Sequence, residues 1–139
     1  MIYLLSTQCM LDLLTGEPDM GAWMKNKPAS MIEVCSVSIG QGHSEIAKET
    51  NTAFRKALEA SFEKLLLGLR LSQGIVAFDE SASKVWATLS SMSLIHDQAK
   101  ELSPESRMVV AVALTRNATF VDRPRPYHAQ LTGLKVQSP

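Results

Sequence analysis

The chain opens on an apolar run, Ile2-Tyr3-Leu4-Leu5, that ends in three polar positions, Ser6-Thr7-Gln8. Apolar residues then recur at Met10, Leu11, Leu13 and Leu14, the spacing of one helix face. The pattern predicts a buried strand that feeds directly into a helix. In an open α/β sheet such a junction faces the ligand crevice, because strand ends and helix starts converge there. Gly16 offers a cap for the end of that helix, and Pro18 cannot continue it. Asp19 is expected to cap a second, short helix with Met20, Trp23 and Met24 on one face. A turn at residues 27–30 leads to a second strand, expected over Ile32 to Val37. Ser38 is expected to cap a helix starting near Ile39, where Gly40 and Gly42 weaken the helix or permit close backbone approach.

Residues 52–69 predict the best helix of the chain, with Phe54, Leu58, Phe62, Leu65, Leu66 and Leu69 forming its apolar stripe. Gly74 breaks that pattern ahead of a third strand at Ile75-Val76-Ala77-Phe78. Asp79 caps the next predicted helix, which buries Val85, Trp86, Leu89 and Met92. Ser103-Pro104-Glu105 reads as another helix start, with proline at the first position. Residues 108–114 are apolar on nearly every side, which predicts a central helix. Ala118 to Asp122 reads as the fourth strand, and Leu134-Lys135-Val136 as a short edge strand. Strands that alternate with helices give a parallel sheet covered on both faces. The expectation is one α/β domain over residues 1–139, three layers deep, with a central parallel sheet of four to five strands.

Length and charge add bounds. The chain has 139 residues and a formal net charge of zero, so no global field draws it to nucleic acid or membrane. The charge is uneven: Ser103 to Pro139 carries Arg107, Arg116, Arg123, Arg125 and Lys135 against Glu105 and Asp122. Cys9 and Cys35 sit in apolar surroundings and read as reduced core thiols, the pattern of a cytoplasmic protein. No apolar run reaches membrane-spanning length, and no membrane partner is expected.

In their order and spacing, several strings resemble a PIN domain, most of all the VapC-type toxins of toxin–antitoxin modules. They are the opening Met1-Ile2-Tyr3-Leu4-Leu5, the strand-to-helix step near Ser38, the helix with Val110-Ala111-Val112-Ala113-Leu114, and the tail Leu131-Thr132-Gly133-Leu134-Lys135-Val136. The resemblance covers nearly the whole chain. It implies an endoribonuclease dependent on magnesium or manganese, in which three or four carboxylates at the strand ends hold the ion. Such an ion needs hard anionic oxygens and activates water while neutralising phosphate charge. It also implies a homodimer, a small antitoxin partner and RNA as ligand.

Where the resemblance implies acids, this sequence has neutral residues. The first aspartate falls on Ser6, its neighbouring asparagine on Gln8, the helix glutamate on Gln41, and the aspartate opening the apolar helix on Ser106. At the fourth strand Asp122-Arg123-Pro124 stands where a Thr-Arg-Asp or Thr-Arg-Asn string belongs, so Asp122 is shifted by two residues. A carboxylate about 4 Å from a unit charge gains roughly 4 kcal/mol at an effective dielectric near 20. A divalent ion about doubles that before hydration is subtracted, whereas hydroxyl and amide oxygens supply only dipoles. The metal is therefore expected to bind weakly or not at all, and cleavage to be lost or impaired.

Two other readings stay open at this stage. An active enzyme with a shifted acid set would rebuild the metal site from Asp122, Glu45 and Glu105; a non-catalytic module would bind a partner helix in a groove between its own helices. Arg123 and Arg125, stiffened by Pro124 and Pro126, together with Arg107, are the candidate RNA contacts. Pairing Ser6 or Ser106 with His43, His96 or His128 as a hydrolase lacks the nucleophile-elbow pattern. Gly40-Gln41-Gly42 lacks the lysine and length of a phosphate loop.

Overall fold

The opening strand takes the centre of the sheet. In the computed structural model, which describes Met1–Pro139, β1 (Tyr3–Leu5) pairs in parallel with β2 (Ile32–Cys35) on one side and β6 (Thr119–Val121) on the other. Edge strands β3 (Ile75–Val76) and β7 (Lys135–Gln137) extend the parallel sheet to the order β3-β2-β1-β6-β7. The helices are α1 (Thr7–Thr15), α2 (Pro18–Lys25), α3 (Ser36–Ala47), α4 (Thr52–Ser72), α5 (Glu80–Ser90) and α6 (Pro104–Thr115). A separate antiparallel hairpin, β4 (Ile95–Asp97) and β5 (Lys100–Glu101), lies between α5 and α6.

Alternation along each strand builds two cores, one on each face of the sheet. Leu4, Cys35, Val76 and Phe120 pack with the buried residues of α5 and α6, among them Leu89, Val109 and Val112. Tyr3, Leu5, Val34 and Val121 pack on the other face with Met10, Met20, Phe62 and Leu66 of α1, α2 and α4. The molecule is a three-layer α/β/α domain with a five-stranded parallel sheet, as expected. Strand order reverses at β1, since the chain builds outward to β2 and β3 before returning to β6. The crevice outside the carboxyl ends of β1 and β6 is thus the topological switch point.

Several capping residues act as their types require. Ser6, Asn51, Asp79 and Ser103 each accept a backbone N–H in the first turn of the helix that follows. Gly16 closes α1 with a left-handed φ of 81°. Gly42 permits close approach, because a Cβ there would lie 2.7 Å from the Phe62 ring.

Other expectations need correction. β2 stops at Cys35, and α3 begins at Ser36, so Ser38 lies inside the helix and is fully buried. Its hydroxyl meets that of Thr7 at 2.7 Å instead of capping a helix end. α2 starts at Pro18 with Glu17 as its cap position, which leaves Asp19 in the first turn and free to pair elsewhere. β3 is two residues long and does not reach Phe78. The β4–β5 hairpin was not anticipated, for its short strands carry no apolar alternation and its turn lacks an Asn-Gly signal; Gln98 supplies the left-handed φ of 52°.

A candidate crevice at the strand ends

Ser6 and Asp122 follow directly on the neighbouring strands β1 and β6, so register brings them side by side. Both are about 95% buried, at 5% exposure each, and with Ser106, His96 and Tyr127 they line an inner recess of about 40 Å³. That recess adjoins a wider, polar outer cleft of about 590 Å³, and Thr7, Gln8, His96 and Ser106 line both. Gln41 from α3 and Glu105 from α6 line the outer cleft, as do Glu45, Lys48 and Lys100. Of the five positions that the resemblance singled out, Ser6, Gln8, Ser106 and Asp122 share the recess. Gln41 joins them through the outer cleft.

Most of these polar groups are tied to one another. The Ser6 hydroxyl oxygen accepts the Cys9 backbone N–H at 3.1 Å, as an N-cap should. Thr7 donates its hydroxyl to the Gln41 side-chain carbonyl at 2.6 Å, which fixes the orientation of that amide. Ser106 receives the Ser103 hydroxyl at 3.0 Å. Asp122 is held most closely. Its Oδ2 accepts the Tyr127 hydroxyl at 3.0 Å and lies 3.0 Å from His128 Nε2. The Arg125 backbone N–H donates to His128 Nδ1, so the ring proton sits on Nε2 and points at the carboxylate. Burial alone would raise the Asp122 pKa, but hydrogen bonding from His128, Ser6 and Tyr127 outweighs it and holds the carboxyl below its usual range. Burial and the Asp122 charge push the Tyr127 phenol far up, so it remains a donor.

The acids proposed for a rebuilt metal site do not converge. Asp122 lines the recess, whereas Glu45 and Glu105 line the outer cleft, and Glu45 is paired with Lys48 at 3.2 Å. No three histidine, cysteine, aspartate or glutamate side chains anywhere in the chain come together as a metal site would require. A magnesium or manganese ion, which needs hard anionic oxygens, does not fit the donor set at this crevice.

The candidate arginines divide. Arg107 is corrected: it is 7% exposed, and its guanidinium is turned inward, away from any phosphate. It donates to the carbonyls of Leu102 at 2.9 Å, Met92 at 2.8 Å and Leu89, and meets Glu101 at 2.8 Å. Glu101 in turn accepts the Leu94 N–H and the Ser93 hydroxyl, so this pair fastens the hairpin that carries His96. Arg123 is corrected as well, because Asp12 and Asp19 grip it. The contacts are 2.8 and 3.0 Å to Asp12 Oδ2, and 2.5 and 3.1 Å to Asp19. Asp12 therefore reaches from α1 to the residues that follow β6. Arg125 is half-buried beside the recess, and after burial its charge is the next influence lowering the His96 pKa. Cys9 and Cys35 are free, buried thiols; burial pushes Cys9 up to about 11, where it is unreactive.

His96 belongs to the crevice and was not singled out for it. Its place depends on the hairpin, whose fastening by Arg107 has no short-range sequence signal. Asp12–Arg123 and Glu33–Arg116 were missed for the same reason, their partners being 111 and 83 residues apart.

No protein-family model and no curated protein matches the chain. Solved structures do. A chain of VapBC2 from Rickettsia felis, bound to a DNA fragment from its promoter, superimposes with a TM-score of 0.75 at 16% identity, covering 100% of this chain and 99% of the other. FitAcB from Neisseria gonorrhoeae gives 0.75 at 19% identity, covering 97% and 96%. VapBC-5 from Mycobacterium tuberculosis, a toxin–antitoxin system, gives 0.66 at 14% identity, covering 99% and 96%. The fold is the VapC-type PIN-domain fold.

Proposed function

We propose that this chain is a PIN-like, RNA-facing domain of a toxin–antitoxin module whose metal-dependent cleavage is lost or severely reduced. One observation carries the reading: the switch-point crevice presents Ser6, Gln41 and Ser106 where the resemblance puts carboxylates. The one acid left in the recess, Asp122, is already hydrogen-bonded by Tyr127 and His128. A lone, satisfied carboxylate gives a divalent ion little to exchange its water for. The test is a sensitive ribonuclease assay in Mg²⁺, Mn²⁺ and EDTA. No metal-dependent cleavage is expected; cleavage that needs the metal and disappears in Asp122→Ala would favour the shifted-acid enzyme instead.

A protein partner is the second part of the reading. An apolar groove of about 480 Å³ runs between α1, α2 and α4, lined by Leu13, Leu14, Met24, Leu65 and Leu69 together with the exposed Gly68. Such a groove suits the apolar face of an amphipathic helix. The similar structures come from toxin–antitoxin systems, which makes a small antitoxin-type protein the natural occupant; the homodimer that the resemblance implies is part of the same proposal. Gly68→Glu would place a charge in the groove. It should abolish copurification with the partner while leaving the fold intact, and retention of the partner would count against this surface.

A further inference from the structure

The outer cleft contains two basic groups that the rest of the fold does not engage. Lys100, on β5, is exposed and has no carboxylate within salt-bridge distance. His96, on β4, is half-buried, lines both the recess and the cleft, and its ring makes no hydrogen bond. Gln41 contributes a third donor. Its carbonyl end is taken by Thr7 at 2.6 Å, so its amide N–H₂ is the end left over. The cleft's acids oppose these groups only weakly: Glu45 is neutralised by Lys48 at 3.2 Å, and Glu105 sits in the first turn of α6, whose dipole offsets part of its charge.

A hydrated divalent ion is needed at a phosphate when the protein offers only carboxylates, because like charges must be bridged. With neutral side chains at Ser6, Gln41 and Ser106, much of that repulsion is removed, Asp122 being set back in the recess, and the remaining groups can donate directly. We propose that the outer cleft holds a phosphodiester group directly on Lys100, His96 and the Gln41 amide, without a bridging metal ion. The ligand is a phosphate of single-stranded RNA, and that part of the proposal rests on the RNA-facing reading above. Lysine acts here as a point charge on a phosphate oxygen, the imidazole and amide as hydrogen-bond donors.

The experiment uses the full chain and a short, fluorescently labelled single-stranded RNA, with anisotropy read in EDTA and in Mg²⁺ over a range of salt. Affinity should be the same in both. Lys100→Ala should weaken binding several-fold and lower the slope of log K against log salt by about 0.7, the value for one lost phosphate contact on a single strand. His96→Gln should weaken binding as well, and Lys56→Ala, on the exposed side of α4, should not. A parallel arm with adenosine 5′-monophosphate and inorganic phosphate separates the two claims. If these bind in a Lys100-dependent way while RNA does not, the phosphate site stands and the RNA reading fails. RNA binding that needs Mg²⁺, or that ignores both Lys100 and His96, overturns the site. Failure of all three ligands to bind overturns both.

Discussion

Arg107→Ala is expected to destabilise the domain by about 2–4 kcal/mol, chiefly because backbone carbonyls lose a charged donor, each such loss costing about 1–3 kcal/mol where the group is buried. The reason lies in what the guanidinium satisfies. Three carbonyls would each lose a donor, those of the buried Leu89 and Leu102 and that of Met92 at the surface. Glu101 would lose its cation while still holding the Leu94 N–H. Typical total stability is about 5–15 kcal/mol, so the variant would lose a large share of it. Lysine should not rescue it, because one ammonium cannot reproduce the spread of a planar fork over three acceptors. A urea titration of Arg107→Ala and Arg107→Lys checks this; a loss under about 1 kcal/mol in both would show that water replaces the guanidinium.

The second large effect runs the other way. In the combined variant Ser6→Asp, Gln41→Glu and Ser106→Asp, metal binding should appear that the native chain is expected to lack. Each change suits its local backbone. Aspartate caps a helix as well as serine at position 6, and an acid at position 106 lies three residues after the Ser103 cap, where the α6 dipole favours it. Gln41→Glu keeps the oxygen that accepts from Thr7. Without metal, the new carboxylates at positions 6 and 106 crowd Asp122 at the recess, so the variant should melt below the native chain in EDTA. With Mn²⁺ at about a hundred times its dissociation constant, roughly 2.7 kcal/mol of stabilisation should follow. The native chain should show no comparable rise. Equal responses in both proteins would mean that the neutral residues are not what keeps metal out.

Much of this architecture was legible in the sequence because it is set locally. The apolar run at Ile2–Leu5, the caps Asp79 and Ser103 and the glycine at 16 each act within a few residues of themselves. The position of Ser6 beside Asp122 followed once the sheet was taken as parallel, since both sit at strand ends. The failures are long-range. Arg123 looked like a free cation beside two prolines, yet Asp12 and Asp19 hold it from more than a hundred residues away. Arg107 read as a candidate RNA contact, although the helix that carries it is buried nearly all round. The hairpin bearing His96 has strands too short to register as a pattern, so the basic side of the outer cleft was invisible before the fold placed it.

The most direct measurement is a crystal of the native chain soaked in Mn²⁺ and recorded at the manganese absorption edge. The neutral crevice predicts no anomalous peak among Ser6, Gln41, Ser106 and Asp122. A strong peak there, with Asp122 released from Tyr127 and His128 to ligate it, would contradict the reading of a PIN-like fold that has lost its metal centre.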